Sequence, residues 1–359
     1  MSKIAIRTCL AGLPIAVVAI VSYAVDPANI LRRRFEPDIA SIVAGGGNAA
    51  LPLDFDERLV QRLVIRTMRS TPTTVVLGSS RAMQIGRKTV GDDHVFNSAV
   101  TNGSTKDLLA ISAIYLRRGF VPGRLFLCLD PWLLNEHNDQ TRWKTLWPEY
   151  DWMSHRLDLP VPPRDRIDER IDALHLDKAA ALVSPSYFQY SLKLIAERQF
   201  HLNTVRRVPP VADDWQHVVL ADGTRVYPRP AQSRSAEELR QIALRYAQAK
   251  PVFGLGRFER LDSWSLEALA RLVTEFDRLG TRVVIVLPPY HPVAYAVLSS
   301  SSEYRQVLAA EAAYRRLAET ARVPIAGSFD PNRAGCSEAE FYDGAHPTAE
   351  CIRRLLPIT

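Results

Sequence analysis

Two stretches of this chain have residue types and spacing suited to nucleophilic chemistry. Near the start, residues 73–81 (TTVVLGSSR) run Thr74-Val75-Val76-Leu77 into Gly78-Ser79-Ser80. Near the end, Phe341-Tyr342-Asp343-Gly344-Ala345-His346-Pro347 sets a carboxylate and an imidazole three residues apart. A serine hydroxyl attacks only when a base takes its proton, and an acid beside that base orients the ring. Together the stretches offer a nucleophile, a base and an orienting acid. Taken alone, a D-x-x-H is equally a surface pair near a helix start.

The elements that must position them follow from periodicity. A short β-branched run closed by glycine and hydroxyls predicts a buried strand breaking into a tight turn. Further strands are expected at 94–99, 124–129, 282–287 and 323–329. Helices are expected at 55–69 (Asp54 as N-cap), 106–118, 263–279, 303–321 and 347–356. This alternation predicts an α/β three-layer sandwich with a mainly parallel five-stranded sheet, whose carboxyl edge holds the ligands. Residues 136–260 interrupt it. They hold a helical pattern at 164–181 and a hairpin at 218–227, where Asp222-Gly223 suits a two-residue type I′ turn. We divide the chain into an N-terminal anchor (1–25), a connector and helix (26–70), a first core part (71–135), an inserted cap (136–260) and a second core part (261–359).

The composition of the 359 residues, 47% hydrophobic and 23% charged, is that of a folded protein. The net charge of +6 is spread over short pairs such as Arg117-Arg118 and Arg315-Arg316, not gathered into a basic stripe. That sets nucleic acid aside and leaves an anionic membrane or envelope polymer as the partner of that charge. Residues 8–25 carry no charge and follow Lys3 and Arg7. The expectation is a transmembrane anchor of near-minimal length, since a bilayer takes about 17–25 apolar residues. The alternative is a signal peptide cleaved at Ser22-Tyr23-Ala24. Cys336 and Cys351 bracket the D-x-x-H pair; a disulfide between them would need an oxidising compartment, and two unrelated buried thiols are the other reading. No Cys/His metal cluster occurs, and Gly45-Gly46-Gly47 lacks the lysine of a phosphate loop. No cofactor is expected.

At this point the chain resembles the SGNH (GDSL-like) hydrolase superfamily over about 71–135 and 260–359, in short motifs. The resemblance implies that Ser80 is the nucleophile, with Ser79 where the family usually has Asp, His346 the base and Asp343 its orienting acid. It also implies an oxyanion site at the backbone N–H groups of Ser80 and Gly103. The third block departs from the family: Asp130-Pro131-Trp132-Leu133-Leu134-Asn135 stands in place of G-x-N-D. Asn135 or Asn102 is then left to supply the missing amide. The closest resemblance is to membrane-tethered extracytoplasmic members that act on envelope polymers beside a membrane-bound O-acyltransferase, among them the lipoteichoic-acid D-alanylation and alginate O-acetylation proteins.

Three weaker expectations complete the site. Arg81 is read as binding an anionic substrate group or as a salt bridge within the fold. Trp132 and Trp143, in a cluster running to Trp152, are read as a sugar-stacking platform or a small hydrophobic core. His291, after the fourth core strand, is a spare catalytic candidate. The function expected is a single-pass inner-membrane protein with a periplasmic serine esterase or O-acyltransferase domain acting on an envelope glycan. The alternative is a degenerate domain that binds polysaccharide or scaffolds a membrane assembly.

Overall fold

The computed structural model describes residues 3–26, 35–52, 55–161, 182–196 and 204–356, with the backbone alone over 3–12. In chain order the strands are β1 (Asn48–Ala50), β2 (Thr74–Leu77), β3 (Val95–Asn97), β4 (Arg124–Cys128), β5 (Arg206–Val208), β6 (Val218–Val219), β7 (Arg225–Val226), β8 (Arg282–Leu287) and β9 (Ile325–Gly327). Five of them form an all-parallel sheet in the order β3-β2-β4-β8-β9. The expected α/β class and five-stranded sheet are therefore present. The first core strand, β2, lies between the second and the third, so the winding direction reverses beside it. In open α/β sheets such a reversal leaves a crevice beyond the carboxyl ends of the strands.

Alternate side chains of each strand face opposite ways, and both faces are covered, which is why the strands read as continuous apolar runs. Val75, Leu77, Leu125, Leu127, Val283 and Ile285 join one core. That core is closed by the helices Thr105–Arg117, Ser263–Arg278 and Arg305–Ala321. Val76, Phe126, Cys128, Val284 and Val286 join the other, beneath the helix Ala349–Leu355.

The connector and the insertion do not behave as separate pieces. β1, from the connector, pairs antiparallel with β5 and β6 of the insertion, in a second sheet ordered β5-β1-β6-β7. Asn48-Ala49-Ala50 is too short and too small to give a strand signal of its own. The 218–227 hairpin is also built differently from its expectation. Gly223 donates its N–H to Leu220 O, and Leu220 donates to Thr224 O, giving a three-residue loop. Only Gly223 has positive φ (+80°), so the turn is not type I′. Asp222 is held instead by its contacts: its carbonyl accepts the Asn97 N–H, and its carboxylate accepts the N–H groups of Arg87 and Thr224.

The helix Glu57–Thr67 is capped by Asp56, whose carboxylate accepts the Arg58 and Leu59 N–H groups; Asp54, the expected cap, lies outside the described residues. So does the whole of the helical pattern at 164–181. Cys336 and Cys351 are joined, with Cα atoms 5.3 Å apart, and Cys128 is a buried free thiol. At the amino end a helix runs Lys3–Val25 and exposes Leu13, Ile15, Val17 and Ile20. Among the described residues no helix is long and apolar enough to cross a membrane. The side chains of positions 8–12 of the expected anchor lie outside that description.

Candidate active site

β2 delivers its chain to the carboxyl edge fully buried and stops at Gly78. A Cβ at this position would meet Cys128 Cβ at 2.7 Å and Ala82 Cβ at 2.9 Å, so only glycine lets the turn pass this close to β4. Ser79 then caps a single 3₁₀ turn, Ser80–Ala82, its hydroxyl accepting the Arg81 N–H. The turn is braced from β3: the Asn97 amide donates to Ala82 O and Ile85 O, both at 2.8 Å. Ser79 is buried, whereas Ser80 is partly open to solvent.

The loop after β9 meets it. Asp343 accepts the backbone N–H groups of Ala345 (2.8 Å) and His346 (3.0 Å), and its two oxygens lie 2.9 and 2.8 Å from His346 Nδ1. His346 Nε2 is 2.9 Å from Ser80 Oγ. Burial raises the Asp343 carboxyl, but the His346 imidazole and these N–H groups outweigh it and hold Asp343 down to about 2. With Nδ1 donating to an ionised carboxylate, Nε2 presents its lone pair to the serine hydroxyl. The three residues form one hydrogen-bonded line, the arrangement that activates a serine.

Arg81 holds the two loops together. Its guanidinium donates to Ala345 O (2.9 Å), to Asp130 Oδ1 (2.9 Å) and to Pro288 O, and stacks 3.9 Å above the Tyr290 ring. Arg81 and Asp130 are both about 1% exposed. Arg81 lines the cleft, but it is buried and its three hydrogen bonds all go to the fold. The salt-bridge reading of this residue replaces the substrate-binding one. Burial pushes the Asp130 carboxyl above its ordinary range, against the pull of Arg81.

The oxyanion expectations sort unequally. The Asn135 amide donates to Gly254 O and Gly256 O, both at 3.1 Å, and does not line the serine cleft. The Gly103 N–H is bonded to Val100 O at 3.1 Å. Neither is available to a substrate as placed. Asn102, at φ +53°, lines the cleft with Ser80. Its side-chain amide makes no hydrogen bond among the described residues. The Ser80 N–H, at the open start of its 3₁₀ turn, likewise has no acceptor there.

The cleft has a volume of about 390 Å³. Trp132 lines it, with its indole N–H on Gly103 O at 3.1 Å. Trp143 does not. It is buried against Trp147 and Tyr150 at ring distances of 5.4 and 4.7 Å, in the hydrophobic core and away from the cleft. His291 is fully buried and accepts the Val293 N–H at the start of the helix Pro292–Ser300, so it serves as a cap.

The far wall comes from the insertion and was missed in the sequence: His217, Arg225, Tyr227, Tyr246 and Phe253. Arg225 is ion-paired with Glu57 at 2.9 Å, and Tyr227 stacks on Tyr342 at 4.1 Å between centroids. Burial, and then the nearby Arg225 charge, lower His217 to about 4, so it stays neutral near pH 7. One signal was present. Arg225 and Tyr227 lie two apart on an extended arm, and so share a face.

Fold and site together define a class: a doubly wound α/β protein with a Ser–His–Asp line at the switch point of its sheet. Compared with known proteins, the chain matches no family model and no curated protein.

Proposed function

We propose that the chain is an SGNH-like serine esterase or O-acyltransferase acting on an ester of an envelope glycan. The observation that carries this is the line Ser80 Oγ, His346 Nε2, His346 Nδ1, Asp343, with both links at 2.8–2.9 Å. In this reading Ser80 attacks the acyl carbonyl while His346 takes its proton. The developing oxyanion meets the Ser80 N–H and the Asn102 amide. His346 then returns the proton to the departing alkoxide, leaving an acyl-serine. Water releases the acyl group in an esterase, and a sugar hydroxyl does so in a transferase. The Cys336–Cys351 bridge supports an extracytoplasmic location. The uncharged run 8–25 and the exposed apolar side chains of the N-terminal helix support a membrane anchor, with a membrane-bound O-acyltransferase as the partner that the resemblance suggests.

A second reading, a domain that binds glycan or scaffolds a membrane assembly without turnover, is favoured by one observation. Two of the expected oxyanion donors, Gly103 N–H and the Asn135 amide, are already bonded. A fluorophosphonate probe separates the two. Covalent labelling of Ser80, lost in Ser80→Ala, is the expected result; an unlabelled wild-type protein would favour the second reading.

A further inference from the structure

The serine cleft does not end at its own walls. A cavity of about 610 Å³ adjoins it at Arg225, a residue that lines both spaces. Another, of about 740 Å³, adjoins it at Asn102 and Phe253. Each alone is of the size that holds a small ligand, roughly 300–1,000 Å³. The reactive serine thus lies between two neighbouring cavities, each sharing wall residues with its cleft.

The two wings differ in chemistry. The first carries Arg87 and Lys88, both exposed and neither ion-paired among the described residues. The carboxylate in its wall, Asp222, is spent on the Arg87 and Thr224 N–H groups and on the Thr224 hydroxyl. Two unpaired cations against that one carboxylate leave this wing net positive. The second offers the half-exposed Phe253 ring, edge-on to Trp132 at 5.9 Å, beside Asn138 and Gln140. Its charges are the Arg257–Asp139 pair, neutral overall, and the exposed carboxylate of Glu303, which disfavours an acidic unit there. An apolar ring next to amides suits the faces and hydroxyls of an uncharged part of a sugar chain.

We propose that these neighbouring cavities together bind an internal stretch of a glycan chain, with the ester-bearing unit over Ser80, an acidic unit in the Arg87–Lys88 wing and a further unit against Phe253. The protein then works along the middle of a polymer, not at its end. This rests on the ester reading of the triad.

The test compares three esters with the full chain: p-nitrophenyl acetate, acetylated polygalacturonate and acetylated xylan, the two polymers each as long chains and as short oligomers. Long chains are expected to be turned over better than oligomers, and the acidic polymer better than the neutral one. In Arg87→Ala/Lys88→Ala the ratio of kcat/KM on acidic polymer to that on p-nitrophenyl acetate should fall about tenfold, as expected for two exposed charge contacts. Its salt dependence should flatten. Phe253→Ala should erase the advantage of long chains on both polymers. Thermal melts verify that the variants are folded. Turnover that ignores chain length and charge would overturn the groove and leave the ester reading standing. Electrophoretic retention of Ser80→Ala on polygalacturonate gels, weakened by the Arg87→Ala/Lys88→Ala changes, supports the groove even when no ester is turned over. No retention, together with ordinary turnover of p-nitrophenyl acetate, refutes it.

Discussion

At the scale of single residues, the proposal stands on one proton path. Asp343 donates nothing to the substrate; it fixes which nitrogen of His346 carries the proton. Asp343→Asn should keep the loop but present the wrong tautomer, and kcat should fall by about 10⁴-fold, as for the equivalent change in a serine triad. A loss of tenfold or less in steady-state ester assays would mean that His346 is oriented by something else. The depressed Asp343 also sets the shape of the pH profile. A carboxylate held near 2 remains ionised across the working range, and His217, lowered to about 4, remains neutral. Neither group should therefore add an inflection to the kcat/KM profile above about pH 5, and His217→Gln should leave the shape of the profile unchanged there. A changed shape would place His217 in the proton path.

At the scale of elements, the loops matter more than the strands that carry them. Arg81 and Asp130 form a buried pair that clamps the serine turn to the loop bearing the base. Arg81→Met leaves the buried Asp130 without its partner, to stay charged at a cost or to take up a proton, and unfolding experiments should show a loss of about 3–5 kcal/mol. Arg81→Met/Asp130→Leu should recover much of that stability without recovering activity, because the Ala345 contact remains absent. The disulfide acts on the same loop from the other side. It closes a separation of 15 residues around Asp343 and His346. Cys336→Ser/Cys351→Ser should cost about 3 kcal/mol in denaturant titrations, by loop entropy. Equal midpoints for the wild type and this variant would show that the α/β core alone holds the loop.

How much could be read ahead of time divides along the same line. The core strands were legible because 75–77 and 283–287 are uninterrupted apolar runs, buried throughout. The Ser80, Asp343 and His346 set was legible because Ser80 sits just past the end of the first core strand and Asp343 and His346 lie three apart in the loop before the last helix. The cleft wall was not, since His217, Arg225 and Phe253 approach Ser80 only through tertiary pairing. The clearest instance is the tip of the hairpin. A Cβ on Gly223 would lie 2.2 Å from Asn97 O, so the loop geometry is dictated by a strand more than a hundred residues earlier. No local turn rule contains that contact.

For the whole molecule, the charge balance of the site feeds back on stability. The Asp343 carboxyl is lower in the folded chain, at about 2, than in an unfolded one, at about 3.9. Its contribution is fully present above the unfolded value and is lost as pH falls from about 4 toward 2. Asp343→Asn should therefore flatten the acid limb of the stability curve in that window; an unchanged limb would mean that other carboxylates govern acid unfolding.

Ser80 and His346 are 266 positions apart, the serine following the first core strand and the histidine the last. A long-range pairing of this kind forms late, after intervening strands have found their neighbours. On the proposed ester chemistry, turnover would then be a clock for the completion of folding. In a refolding time course it stays at zero while secondary structure and tyrosine burial accumulate, and it rises only when the loop between Cys336 and Cys351 docks on the serine turn.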